Sequence, residues 1–302
     1  PHLYDAAFAG TSVFHVAAML LGPALTVGAA LFMALAARRL YGARGAVLTG
    51  ALTLALPPVV LWANLQQNNH LTTVLATAFT GWHLTLLADG RRSLLRSAWV
   101  GAALGICTVS DPQALVAAVI PLILTLALLW RRERDAAHHG RWAVTVTAAA
   151  GIAAWVLLPM WMRSADMTMV TTFTAQPSLN GVLDGLGLSV RGLIWMSSGG
   201  WYGEDVTALT LPGLLLAILA CALPLVAFDR LRRPRRGDLA PLPRVVHAMY
   251  WSLSAAGVLG AFLLTGASTQ NYQAHYVIAL FYTAAALVPI AAETGARHRM
   301  RL

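Results

Sequence analysis

The chain has 302 residues, is 58% hydrophobic and only 11% charged, and carries a formal net charge of +9 with a mean hydropathy of +0.66. A soluble domain carries about 25% charged residues, so this composition excludes an ordinary water-soluble globule and places the chain with polytopic membrane proteins. Arg supplies all the Lys-plus-Arg total. It falls in short clusters between apolar runs rather than on one basic face, which argues against nucleic acid and reads as a topology signal.

The chain begins at Pro1, with no basic leader ahead of its first apolar run, so we expect a processed N-terminus or a fragment. Crossing the hydrocarbon core takes about 20 apolar residues. Candidate runs occupy 14–36, 46–63, 70–88, 97–109, 112–130, 142–161, 208–228, 245–265 and 275–291. They must be helices, because an open strand cannot satisfy its backbone in lipid. The fold class expected is all-α: a single transmembrane bundle of about nine spans. The run at 97–109 is short, and only Ser110, Asp111 and Pro112 divide it from the next. As one helix the pair overshoots a single core thickness. As a hairpin, Asp111 and Pro112 form an N-cap and first-turn pair.

Charge decides for the hairpin. With nine spans and the N-terminus outside, every arginine except Arg163 and Arg191 falls in an inside loop or at the inside C-terminus. The outside then receives 1–13, the tips 64–69 and 110–111, a long loop 162–207, and 266–274. Within the loop, apolar residues recur at helical spacing through 179–194, as in an amphipathic helix lying in the membrane interface.

Several polar groups gather on this outer face. Gln66, Gln67, Asn68, Asn69 and His70 form one tip. They read either as a hydrated turn with Asn69 capping the next helix, or as neutral donors and acceptors for sugar hydroxyls or a phosphate. Asp111 reads as a helix cap, or as a carboxylate that orients a hydroxyl or a cation. Trp201 and Tyr202 suit the aromatic belt and equally suit stacking on a sugar, and Glu204 and Asp205 beside them are candidate bases. The stretch TQNYQAHYVIALF at 269–281 sets Gln270, Asn271, Gln273 and His275 among Tyr272 and Tyr276 at the mouth of a span. Polar groups entering lipid are costly unless they face a cavity or a partner. Cys107 and Cys221 read as small buried hydrophobes, and His15 and His83 as hydrogen-bonded packing residues. His138 and His139 fall inside and read as solvated. No phosphate-cradling GxxxxGK loop, dinucleotide fingerprint, HExxH or GxSxG is present, so ATP-driven transport, nucleotide chemistry and serine hydrolysis lack support.

The order of segments from 20 to about 130 carries a resemblance: AARRLYGARGA, then LPPVVLWANLQQNNH, LLADGRR, TVSDP and LLWRRER, with NYQAHYVIALF near the C-terminus. It resembles the GT-C-type polytopic glycosyltransferases, specifically the dolichyl-phosphate-mannose protein mannosyltransferase-like and aminoarabinose-transferase-like group. His275 stands where that group usually carries Arg. The first span and first outer loop of the group have no counterpart here, Asp5 being the one acid that could remain of that loop. The resemblance implies transfer of a sugar from a polyprenyl-phosphate carrier to an acceptor at the outer face of a bacterial cytoplasmic membrane. Asp111, Glu204 or Asp205 would act as the carboxylate. Asn68, Asn69, His70, Trp201 and Tyr202 would hold the substrate. Arg163, Arg191, His275 and Tyr276 would hold the lipid phosphate. Some members use a divalent cation. The partners implied are the carrier-linked sugar and membrane lipids, with no nucleic acid. A lipid-linked glycan flippase and a non-catalytic membrane scaffold are the alternatives. A flippase would place ionisable groups at mid-membrane depth.

Overall fold

The computed structural model describes residues 12–56, 68–111, 114–132, 146, 150–151, 211–232, 241–264 and 270–299. Nearly all of these residues are helical, with no strand among them. Among the described residues seven helices occur: α1 (Ser12–Ala55), α2 (Asn68–Ala88), α3 (Leu94–Ser110), α4 (Ile120–Arg132), α5 (Leu211–Arg232), α6 (Leu242–Leu264) and α7 (Gln270–Arg299). A π-helical turn, Leu115–Val119, leads into α4. Two helical stretches, Leu20–Ala55 and Leu71–Ala88, are long and apolar enough to cross a membrane.

The first of these stretches doubles back. Gly42 has φ 74° and ψ −169°, outside helical geometry, and divides α1 into two limbs. Only glycine adopts that backbone without a Cβ clash. Gly50 on the second limb packs against Ala34 on the first, as two antiparallel limbs require. The last carbonyls of the first limb lack intrahelical donors. Arg244 supplies two from α6, its Nε and Nη2 donating to Leu40 O at 3.1 and 2.8 Å, with its guanidinium 5.1 Å from the Tyr41 ring centre.

Side-chain register gives the helices other than α5 a direction. Phe32 packs at a tilt against Phe79 and Trp82, and Arg39 pairs with Asp89, so the first limb of α1 runs parallel to α2. The chain then reverses at Gly90, φ 77°, where Gly90 N and Arg91 N donate to Leu87 O and Leu86 O. Thereafter α3 runs back along α2, with His83 opposite Ser97 and Thr73 opposite Asp111. The π turn and α4 then run the other way along α6, where Ser254 Oγ donates to Ala117 O at 2.6 Å. α6 is antiparallel to α2, with Arg244 at the Leu40 level and Tyr250 Oη donating to Thr77 O. α7 opposes α6, His247 Nε2 donating to Ala286 O at 3.1 Å. α5 lies beside both, and Ser252 Oγ donates to Pro224 O.

These directions sort the bundle into two ends. Arg38, Arg39, Arg44, Arg91, Arg92, Arg96, Arg131, Arg132, Arg244, Arg297 and Arg299 occupy helix ends or turns at one end, the arginine end. The other arginines among the described residues are Arg230 and Arg232, at the close of α5. Asn68, Asn69, His70, Asp111 and the start of α7 belong to the other end, the amide end.

Inside, the buried side chains are mostly alanine and other small residues, with Tyr250 and Trp251 filling the space beside Gly81. Close approach through small residues is how helices associate without a hydrophobic gradient between them. Four buried threonines satisfy themselves locally: Thr53, Thr77, Thr80 and Thr85 each donate to the carbonyl four residues back. Outside, α5 exposes Leu211, Leu215, Ile218, Leu219 and Leu225, each more than half exposed. A soluble monomer seldom leaves a contiguous apolar surface beyond a few hundred Å².

Helices overlap the described parts of the apolar runs at 14–36, 46–63, 70–88, 97–109, 112–130, 208–228, 245–265 and 275–291, while 57–63, 112–113, 208–210 and 265 lie outside the described residues. The run at 142–161 is described only at three positions, and the interfacial helix at 179–194 lies outside the described residues. The division between the fourth and fifth runs falls at Asp111, which has extended backbone (φ −148°, ψ 106°).

Candidate functional site

Asp111 is an acidic residue at the amide end, and it is 2% exposed. Its position follows from the local chain. The helix ahead of it ends with Asp111 N–H donating to Cys107 O at 2.7 Å, and Ala114 N–H donates to Asp111 O at 3.0 Å to start the next turn. The residue is thus held at a corner between two helices. Its carboxylate reaches across to α2, where Thr73 Oγ1 donates to Oδ2 at 2.8 Å. A buried polar group without a partner costs about 1–3 kcal/mol, so this bond both stabilises the corner and sets the α2–α3 register. Cys107 sits one turn before Asp111, beside the Thr72 and Thr73 hydroxyls.

Asn68, Asn69 and His70 form the first turn of α2. Thr73 lies about one turn (5.4 Å) further along the same helix. The structure therefore brings this tip, singled out from the sequence, and Asp111 to one corner. His275 and Tyr276 fall in the opening turns of α7, at the same end of the bundle. Arg163, Arg191, Trp201, Tyr202, Glu204 and Asp205 lie outside the described residues. Thr73 escaped the sequence reading because a threonine in an apolar helix carries no signal of its own; only the fold pairs it with Asp111, 38 residues on.

The buried histidines lie elsewhere. His83 Nε2 is 3.1 Å from Ser97 Oγ, and that hydroxyl already donates to Ser93 O, so the imidazole N–H is the donor. His247 Nε2 likewise donates to Ala286 O. His83 stands six residues before Asp89 and His247 three after Arg244. Both are set toward the arginine end and bridge helices there.

A divalent cation needs several hard or imidazole ligands at once. Among the described residues no three His, Cys, Asp or Glu side chains converge. Asp111 with Thr73 and a thiol is not such a set, so the described residues do not fit a cation. What the corner can do is accept a proton from, or orient, a hydroxyl group. Comparison with protein-family models, curated proteins and solved structures finds no match to this chain.

Proposed function

We propose that this chain is an integral-membrane glycosyltransferase of the GT-C type, acting at the outer face of a bacterial cytoplasmic membrane on a sugar carried by polyprenyl phosphate. In this reading the bundle has nine spans, with the N-terminus outside, the C-terminus inside, and the amide end outward. The carrying observation is the buried Asp111 carboxylate, fixed by Thr73 beside the Asn68–His70 turn, at the end of the bundle opposite the arginine end. Outward-facing leucines on α5 suit lipid contact.

The chemistry follows from these groups. The acceptor hydroxyl oxygen attacks the anomeric carbon, and its proton passes to a carboxylate, for which Asp111 is the described candidate. The bond from the anomeric carbon to the phosphate oxygen breaks, and the electron pair leaves on the lipid phosphate. Glu204 and Asp205 remain candidates for the same proton, and Arg163, Arg191, His275 and Tyr276 for the developing phosphate charge. Asn68, Asn69, His70, Trp201 and Tyr202 would orient the sugar.

The burial of Asp111 favours a second reading, a non-catalytic scaffold in which the carboxylate simply pins α3 to α2. The two separate in proteoliposomes loaded with polyprenyl-phosphate-linked sugars. Transfer predicts release of free polyprenyl phosphate that depends on added acceptor. Absence of release with every donor favours the scaffold, and movement of intact donor between leaflets identifies a flippase.

A further inference from the structure

A cleft of about 610 Å³ opens at the arginine end, between the first limb of α1, the end of α2, the Gly90 turn and the start of α3. Four arginines line it, Arg38, Arg39, Arg91 and Arg96, against one acid, Asp89. Asp89 is directly paired with Arg39, and Arg91 Nε stands 4.0 Å from the same carboxylate oxygen. Arg38 forms no ion pair among the described residues. Arg96 is held in place from two sides. Its Nη2 donates to Arg91 O at 2.8 Å, and its guanidinium lies 5.9 Å from the Trp82 ring centre. Its Nε is buried and has no hydrogen-bond partner among the described residues.

Gathering four guanidinium groups around one carboxylate leaves excess positive charge in a shared concavity. Such crowding is unfavourable in the empty state and is relieved by an anion. Guanidinium forks match phosphate oxygens in geometry as well as charge. The remaining walls are Leu35, Leu86 and Trp82, so the cleft is basic toward water and apolar toward the bundle.

We propose that this cleft binds a phosphate group, with Arg38 and Arg96 as its principal donors. The chemistry is shared by two sources: the headgroup of an anionic phospholipid in the adjoining leaflet, and a soluble phosphate compound reaching the cleft from water. The site is at the opposite end of the bundle from Asp111, so it stands or falls apart from the sugar-transfer reading.

The test uses the full chain and three single variants, Arg38→Gln, Arg96→Gln and Arg131→Gln. Arg131 is an exposed arginine at the same end but outside the cleft, and serves as the control for general surface charge. In one arm, nanodiscs of phosphatidylcholine and phosphatidylglycerol are dissociated, and lipid retained on the protein is weighed by native mass spectrometry. In the other, inorganic pyrophosphate is titrated into protein in zwitterionic detergent and the melting temperature followed. Losing one charge-assisted hydrogen bond lowers affinity by about tenfold or more. Retention of phosphatidylglycerol that falls by that factor in Arg38→Gln and Arg96→Gln, but not in Arg131→Gln, assigns the site to a headgroup. A pyrophosphate-dependent rise with the same variant pattern assigns it to a soluble phosphate. No preference in either arm overturns the proposal, as does an equal loss in Arg131→Gln. Arg38 is exposed, so its variant keeps the comparison valid if Arg96→Gln does not fold.

Discussion

Replacing Asp111 by Asn is expected to lower sugar transfer by about 10²–10⁴-fold, the usual contribution of a positioned acid or base, while leaving the fold intact. One side chain has two jobs, holding α2 through Thr73 and taking a proton. Asn keeps an oxygen that accepts from Thr73 Oγ1, so the cross-helix bond at 2.8 Å survives. It removes the capacity to take a proton. Thr73→Val does the converse, leaving the carboxylate in place and deleting its α2 donor. That variant is expected to cost about 1–3 kcal/mol of stability, since a buried acceptor loses a partner. If Asp111→Asn retains full transfer, the base must be sought at Glu204 or Asp205, and Asp111 reduces to a structural pin.

The second large effect concerns Gly257. A Cβ there would collide with the carbonyl oxygen of Val116 and lie 3.2 Å from its carbonyl carbon, both backbone atoms. Val116 belongs to the π turn, where Ile120 N–H bonds back to Leu115 O. The widened turn presents its carbonyls to α6, and Ser254 Oγ takes the neighbouring one, Ala117 O, at 2.6 Å. Gly257→Ala forces the two helices apart and strains that bond, with an expected cost of about 1–3 kcal/mol. The sign is the informative part. Gly to Ala in a helix ordinarily gains about 1 kcal/mol from propensity alone. Gly260, one turn on in the same helix, has open space where an added methyl would sit, with nothing within 4 Å, and should show that gain or no change. Unfolding titrations in mixed micelles compare the two directly. A gain at both positions would contradict the close approach of α6 to the π turn.

The positions of the helices were readable because length and hydropathy alone limit what an apolar chain can do. Two of the turns that reverse the chain were readable as well: the arginine-rich break between the runs ending at 36 and starting at 46 holds Gly42, and Asp111 precedes a proline. Which faces meet was not readable. α1 and α5 are apolar nearly all round, so their sequences give no stripe from which to infer a packing face. Thr73 with Asp111, Ser254 with the π turn, and Arg96 over Trp82 all depend on inter-helix register. That register is set by small residues such as Gly81 and Gly257 rather than by a hydrophobic stripe. The arginines were legible as a topological signal, but their convergence on one cleft needed the direction of α1 relative to α2.

The account rests on the two ends of the bundle facing different compartments, with the amide end outward. Single cysteines at positions 70, 275, 44 and 91, introduced after replacing Cys107 and Cys221 by Ala, test this with a membrane-impermeant maleimide on sealed cells. Labelling from outside at 70 and 275, with 44 and 91 reached only after permeabilisation, is the predicted result. Positions 70 and 275 labelling from opposite sides, or 44 and 91 labelling from outside, would contradict it.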